Sequence, residues 1–81
     1  MGKYLKQKAD YKMQLGQNIR IWRDVKGIKQ EDLAKKLGIT AAALSQIENN
    51  ITHLTLSRLE DLADIFGIKP EQLFTPPRNF L

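Results

Sequence analysis

The chain has 81 residues, no cysteine and a net charge of +4. This length predicts one small domain, near the lower size limit at which a hydrophobic core alone stabilises a fold. The missing cysteines exclude disulfides and thiolate metal sites and suit a reducing cytosol, so we expect a cytoplasmic protein. No apolar run is long enough for a membrane span or a signal peptide, so no membrane association is expected.

Positive charge is concentrated in the first half of the chain. Residues 1–40 contain 10 Lys and Arg against 4 Asp and Glu, a net charge of +6, whereas residues 41–81 have a net charge of −2. A basic half suits a polyanionic partner such as nucleic acid, although many basic surfaces are simply solvated.

The segment 1–13 is rich in lysine and poor in apolar residues. It is predicted to be a basic N-terminal arm or a helical extension. A basic arm can lie along a DNA groove. The alternative is a frayed, solvated terminus, which is common at chain ends.

The first core helix is predicted from Leu15, Ile19 and Trp22, which recur at helical spacing, and Gly27 is expected to end it. Trp22 fits this apolar stripe, so we interpret it as core rather than as a base-stacking residue.

Two short helices joined by a tight turn are predicted between Gln30 and Asn50. Gly38 suits the left-handed end of the first helix, and Thr40 is placed to cap the second. The apolar positions that share an inward face are Leu33, Ala34, Leu37, Leu44 and Ile47. Helix, glycine turn and helix together form a helix-turn-helix unit.

Two further helices complete the all-α prediction. Thr55 is expected to cap a fourth helix, which Gly67 ends, and Pro70 suits the first position of a fifth. The stripe of the fourth helix consists of Leu56, Leu59, Leu62, Ala63 and Phe66, and its opposite face carries Glu60, Asp61 and Asp64. We therefore predict a compact bundle of five short helices over residues 14–75, with a tail at 76–81.

Five short motifs occur in order along the chain. They are Ile19-x-x-Trp22-Arg23, Gly27-Ile28-Lys29-Gln30, Leu33-Ala34-x-x-Leu37-Gly38-Ile39, Leu44-Ser45-x-Ile47-Glu48 and Leu59-x-x-Leu62-Ala63-x-x-Phe66-Gly67-Ile68. No single motif is specific, but together they resemble the Cro/C1-type helix-turn-helix family of phage and bacterial repressors, the XRE family. The resemblance implies a lambda-repressor-like domain that binds double-stranded DNA.

The resemblance also implies how the domain meets the DNA backbone. Gln30 matches a glutamine that holds a phosphate together with the N–H groups of the helix N-terminus. Thr40 to Glu48 match the recognition helix of the family, which lies in the major groove. Arg23 and Glu48 match a structural ion pair between the first helix and the end of this recognition helix. The remaining expected phosphate contacts are Lys29, Thr40, Asn49, Asn50, Thr52 and His53.

Base recognition is expected from the outward positions of the recognition helix, Ala41, Ala42, Ser45 and Gln46. Alanine can only touch a thymine methyl group, whereas glutamine can make a bidentate contact, most naturally to adenine. The alanines also favour the helix by propensity alone.

This chain departs from the family pattern at several positions. Asn50 replaces the usual glycine but can still adopt the left-handed turn, and Leu54 replaces a proline. Lys29 and Lys69 stand where Ser or Thr caps are usual, at an expected cost of about 1 kcal/mol each.

No catalytic or metal-binding pattern is found in the sequence. His53 is the only histidine, so no zinc site is expected, and there is no glycine-rich phosphate loop or nucleophile elbow. We therefore expect no enzyme, no cofactor and no small-molecule ligand.

Two functions from different classes remain open. The first is a sequence-specific regulator, as a rule a repressor, that binds a palindromic operator as a homodimer through its fifth helix with Phe74, Phe80 and Leu81. The second is a protein-binding module on the same fold, such as an antitoxin or an adaptor that sequesters another regulator.

Overall fold

The structure, a computed structural model, describes residues 15–77. This part of the chain is helical and contains no strand, which confirms the all-α prediction. Helix α1 covers residues 15–25 of the described chain, and the others are α2 (Gln30–Leu37), α3 (Ala41–Glu48), α4 (Leu56–Phe66) and a 3₁₀ helix (Pro70–Phe74). The predicted arm at 1–13, and Phe80 and Leu81 of the predicted dimer contact, lie outside the described residues.

The fifth predicted helix is a 3₁₀ helix rather than an α-helix. Pro70 begins it as expected, and the side chain of Gln72 accepts a hydrogen bond from the backbone N–H of Lys69 at 2.8 Å. Lys69 itself provides no side-chain cap. Five residues followed closely by two prolines leave no room for a longer α-helical segment, and short helical pieces are commonly 3₁₀.

The predicted helix ends are confirmed. Gly38 ends α2 in the left-handed conformation at φ 72°, and Gly27 and Gly67 end α1 and α4 in the same way. Thr40 caps α3 by accepting a hydrogen bond from the N–H of Ala43 at 3.0 Å, and Thr55 caps α4 likewise. The turn between α2 and α3 is therefore fixed by local chemistry on both sides.

The core lies between α1, the α2–α3 pair, α4 and the 3₁₀ helix. Its buried apolar residues are Ile19, Trp22, Leu33, Ala34, Leu37, Leu44, Ile47, Leu62, Ala63, Phe66 and Leu73. Trp22 belongs to this core, as predicted, and its indole N–H donates to the carbonyls of Gln72 (3.2 Å) and Thr75 (3.1 Å). The buried amide of Asn18 donates to the carbonyl of Leu73 at 3.1 Å, so two polar side chains of α1 hold the C-terminal segment in place.

The prediction that Leu56 belongs to the inward stripe of α4 is wrong. Burial rises along this helix from Leu56, which is 70% exposed, through half-buried Leu59 to fully buried Leu62. The first turn of α4 therefore extends beyond the core, although Leu56 has the correct helical spacing. Leu54, just before this helix, packs against the core while remaining half-buried.

At Gly16, the backbone of α1 lies directly against the backbone at the end of α3. A Cβ atom added to Gly16 would lie 2.6 Å from the carbonyl oxygen of Ile47 and 2.7 Å from that of Glu48. The N–H of Gly16 donates to the side-chain oxygen of Asn50 at 3.0 Å. Glycine is required here by the close approach of two helices.

We predict that Gly16→Ala destabilises the protein by about 2 kcal/mol, because the neighbouring backbone has to move to accept the new methyl group. Helix propensity alone predicts the opposite sign, a gain of about 1 kcal/mol. Urea unfolding, monitored by circular dichroism, measures the change in the free energy of unfolding. The control is Gln17→Ala at the next, exposed position, and a Gly16→Ala protein as stable as this control would contradict the close approach.

Candidate nucleic-acid interface

The N-terminus of α2 starts without a side-chain cap. Lys29 occupies the N-cap position, and its side chain accepts no capping hydrogen bond, unlike the side chains of Thr40 and Thr55 at the starts of α3 and α4. The first turn carries Glu31 and Asp32, whose negative charge complements the helix dipole. This end of α2 therefore presents N–H groups without the oxygen acceptor that a Ser or Thr cap would supply.

A buried carboxylate, that of Glu48, joins three helices. Its side chain is only 3% exposed. Arg23 of α1 donates to both carboxylate oxygens, from Nε to Oε2 at 2.8 Å and from Nη2 to Oε1 at 3.3 Å. Gln30, the first residue of α2, donates from Nε2 to Oε1 at 3.1 Å. The remaining Nη1 of Arg23 donates to the carbonyl of Ile28 at 3.0 Å.

This network sets the position of α2 relative to α3. The structure brings together Arg23 and Glu48, as the family resemblance implied, and adds Gln30 to the pair. Because removing two charges from water offsets much of their attraction, such a pair contributes more to geometry than to net stability. Its geometric effect is to hold the first side chain of α2 against the last residue of α3.

The outward face of α3 is small and only partly polar. Ala42 and Gln46 are exposed, whereas Ala41 and Ser45 are half-buried. Helix α3 has neither acidic residues in its first turn nor basic residues in its last. Gln46 is therefore the long polar side chain that this helix presents to solvent.

The turn after α3 folds back onto that face. Asn50 has φ 60°, so the expected left-handed turn is confirmed. Asn49 donates from Nδ2 to the carbonyl of Ser45 at 2.8 Å and to its hydroxyl at 3.3 Å. The hydroxyl of Thr52 donates to Oε1 of Gln46 at 3.3 Å. His53 follows and is exposed.

Two arginines near this surface were not predicted to have a role. Arg58 of α4 donates from Nη1 to the carbonyl of Leu37 at 2.9 Å, which satisfies a carbonyl at the end of α2 just before the turn. Arg20 of α1 is exposed and borders an open depression with Gln17, Asn49 and Asn50. Helical spacing reveals that Arg20 is outside the stripe, but the contact of Arg58 crosses 21 positions and has no local signal.

Residues 15–77 show no sign of a metal site or of a membrane-spanning helix. This part of the chain has no group of three or more His, Asp or Glu side chains that could hold a metal ion. Among its helices, none has the length and apolar character needed to cross a membrane.

We predict that Arg23→Met destabilises the protein by about 3 kcal/mol, because it leaves the buried Glu48 carboxylate without its charged partner. Arg20→Met on the same helix is the matched control, since Arg20 is exposed and the substitution removes the same charge. In thermal and urea unfolding, the midpoint of Arg23→Met should be clearly lower than that of Arg20→Met. Equal stabilities would show that the ion pair has no structural role.

Comparison with known proteins identifies a family and several relatives. The helix-turn-helix family profile matches residues 19–73. A hypothetical transcription factor of Neisseria meningitidis serogroup B is 32% identical over 77 residues, covering 95% of this chain and 73% of the relative. The uncharacterised HTH-type transcriptional regulator YazB of Bacillus subtilis is 35% identical over 63 residues, covering 78% of this chain and 91% of that protein.

A solved structure shows the same fold. The crystal structure of the hypothetical transcription factor NHTF from Neisseria aligns with a TM-score of 0.75 and 32% sequence identity, over 89% of this chain and 83% of the other. The family profile spans most of the chain, and the matched relatives are more than 30% identical over most of their length. The chain therefore belongs to the helix-turn-helix family.

Proposed function

We propose that the protein is a sequence-specific DNA-binding transcriptional regulator, a repressor, which inserts α3 into the major groove of double-stranded DNA as a homodimer. The observation that carries this proposal is the carboxylate of Glu48, which joins the start of α2 and the end of α3 into one unit. Such a unit combines a backbone anchor with a helix that can enter the groove. We place its action in the cytoplasm and assign it no cofactor.

The first turn of α2 supplies the main proposed phosphate contact. A helix N-terminus carries partial positive charge and N–H groups that bind anions. The amide nitrogen of Gln30 has two hydrogens and gives one to Glu48, so the other can be donated to a phosphate oxygen. Lys29 adds a full positive charge, which has to outweigh the nearby carboxylates of Glu31 and Asp32.

Further phosphate contacts are proposed at the two ends of α3. Thr40 is exposed at the start of this helix, and Asn49, Asn50 and His53 are exposed at its end and in the turn that follows, where the groove edges would pass. Two of the predicted donors in this region already have partners: the amide of Asn49 donates to Ser45, and the hydroxyl of Thr52, predicted in the same group, donates to Gln46.

Base recognition is proposed for Gln46, with Ser45 and the methyl groups of Ala41 and Ala42 beside it. A bidentate contact of glutamine with adenine is worth about 1–3 kcal/mol of discrimination, and contact of alanine with a thymine methyl is weaker. Because Gln46 has the largest outward polar group of α3, we expect the base preference to depend mainly on it.

Dimerisation would place two copies of α3 in successive major grooves, about 34 Å apart. The proposed contact uses the 3₁₀ helix, where Phe74 is half-buried, together with Phe80 and Leu81 beyond the described residues. A dimer of this kind selects a palindromic site.

A protein-binding function on the same fold is the second candidate. The observation that favours it is the exposure of two large apolar side chains close in sequence, Ile51 at 72% and Leu56 at 70%. Exposed apolar groups near a regulatory surface can mark a protein contact. An antitoxin or adaptor would use this surface to bind another protein.

Selection of bound duplexes from random DNA tests the proposal. We predict that the wild type recovers a palindromic site whose half-sites lie about 10 base pairs apart, one helical turn. We expect Gln46→Ala to relax the base preference by about tenfold at one position in each half-site, because the bidentate contact is lost.

Lys29→Ala removes a proposed phosphate contact. It should therefore weaken binding to all sequences alike and lower the slope of log Kd against log salt by about one.

The control is Lys69→Ala, which removes the same charge at the start of the 3₁₀ helix, an element that packs on α4. Recovery of no duplex even at low salt would reject the DNA-binding function and leave the protein-binding candidate. Unchanged base preference in Gln46→Ala would assign the selectivity to DNA shape instead.

A further inference from the structure

The turn that follows α3 returns the chain to Gln46. The carbonyl of Gln46 accepts the N–H of Ile51 at 2.8 Å, and the carbonyl of Ile47 accepts the N–H of Asn50 at 3.1 Å. With Asn50 at φ 60°, these two bonds form a Schellman motif. The N–H of Thr52 also points to the Gln46 carbonyl, at 3.4 Å, so the turn places Thr52 beside the residue six positions earlier.

This return brings two side chains into contact. The Thr52 hydroxyl donates to Oε1 of Gln46 at 3.3 Å, and both residues are exposed. A hydroxyl has one hydrogen to donate, and here it is directed at the glutamine. Thr52 therefore donates to Gln46, the residue of α3 that is proposed to contact a base. A phosphate oxygen would have to compete for the same hydrogen.

The amide of Gln46 keeps its capacity for a base. An amide oxygen can accept two hydrogen bonds and the amide nitrogen can donate two. A bidentate contact with adenine needs one acceptor and one donor, so the bond from Thr52 is compatible with it. The same bond restricts the rotamers of a long, exposed side chain before DNA arrives, which reduces the entropy lost on binding.

We infer that Thr52 is a positioning residue for base recognition by Gln46 rather than a phosphate contact, an inference that rests on the proposed DNA-binding function. A phosphate contact affects all sequences alike, whereas a positioning residue acts only through the side chain that it positions. The two roles therefore differ in whether the effect of Thr52 depends on Gln46.

A double-mutant cycle with the duplex selected by the wild type tests this inference. Thr52→Val replaces the hydroxyl by a methyl group at nearly constant volume, and we expect it to lower affinity for that duplex about two- to tenfold, the range for loss of one hydrogen bond. In the Gln46→Ala background the same substitution should change affinity less than about twofold, because no amide remains to be positioned. Thr52→Ser keeps the hydroxyl and should retain the wild-type affinity for that duplex.

The matched control is Asn49→Ala, in the same turn. Its side chain bonds to Ser45 and not to Gln46, so its effect should be the same in both backgrounds. An equal loss from Thr52→Val in both backgrounds would identify Thr52 as a phosphate contact and overturn the inference, while DNA binding stands. Absence of any base preference in the wild type would overturn both proposals.

Discussion

The carboxylate of Glu48 is the group on which the geometry of the proposed interface depends. It is the last residue of α3, it is buried, and it accepts hydrogen bonds from the first helix and from the start of the second. A buried carboxylate without these donors would be strongly unfavourable, so Arg23 and Gln30 both stabilise this position of α3. The ion pair and the amide thus convert three short helices, each marginal alone, into one unit.

The other end of that unit is fixed by different chemistry. Gly38 and Thr40 define the turn between α2 and α3, and Arg58 of α4 satisfies the last carbonyl of α2. At the far end of α3, Gly16 lets α1 approach the helix backbone directly. The face of α3 that remains exposed has little polar chemistry. The surrounding contacts therefore fix the position of α3, whose exposed face has one long polar side chain. If the proposed function is correct, we expect the backbone contacts to contribute more to DNA affinity than direct base contacts do.

Much of the fold follows from local sequence signals, and the wrong prediction for Leu56 shows where such signals are insufficient. Thr40, Thr55 and Gly38 act through their own backbone conformation or through bonds that span a few residues, so residue type and local position were enough to predict them. The left-handed turn at Asn50 was expected because asparagine can replace the glycine that the family has there. Leu56 has the correct helical phase and is nonetheless exposed, because periodicity identifies a face but not how far the neighbouring helices extend.

The same distinction applies to the candidate site. The pairing of Arg23 with Glu48 was expected only through a family resemblance, since 25 positions separate the two residues. The bond from Gln30 to Glu48 and that from Thr52 to Gln46 were not expected at all. Each bond depends on the position in which a turn places a side chain, and this position cannot be inferred from the residue types alone. Gly16 could not be interpreted from the sequence because its reason for being glycine lies in the backbone of another helix.

NMR of isotope-labelled protein titrated with a selected duplex tests most directly whether α2 and α3 contact DNA. We expect the largest shifts at the backbone amides of Gln30, Glu31 and Asp32 and at the side-chain amide of Gln46, with small shifts along the acidic face of α4. Shifts confined to α4 and the 3₁₀ helix, with α2 and α3 unaffected, would contradict the assignment of this surface to DNA.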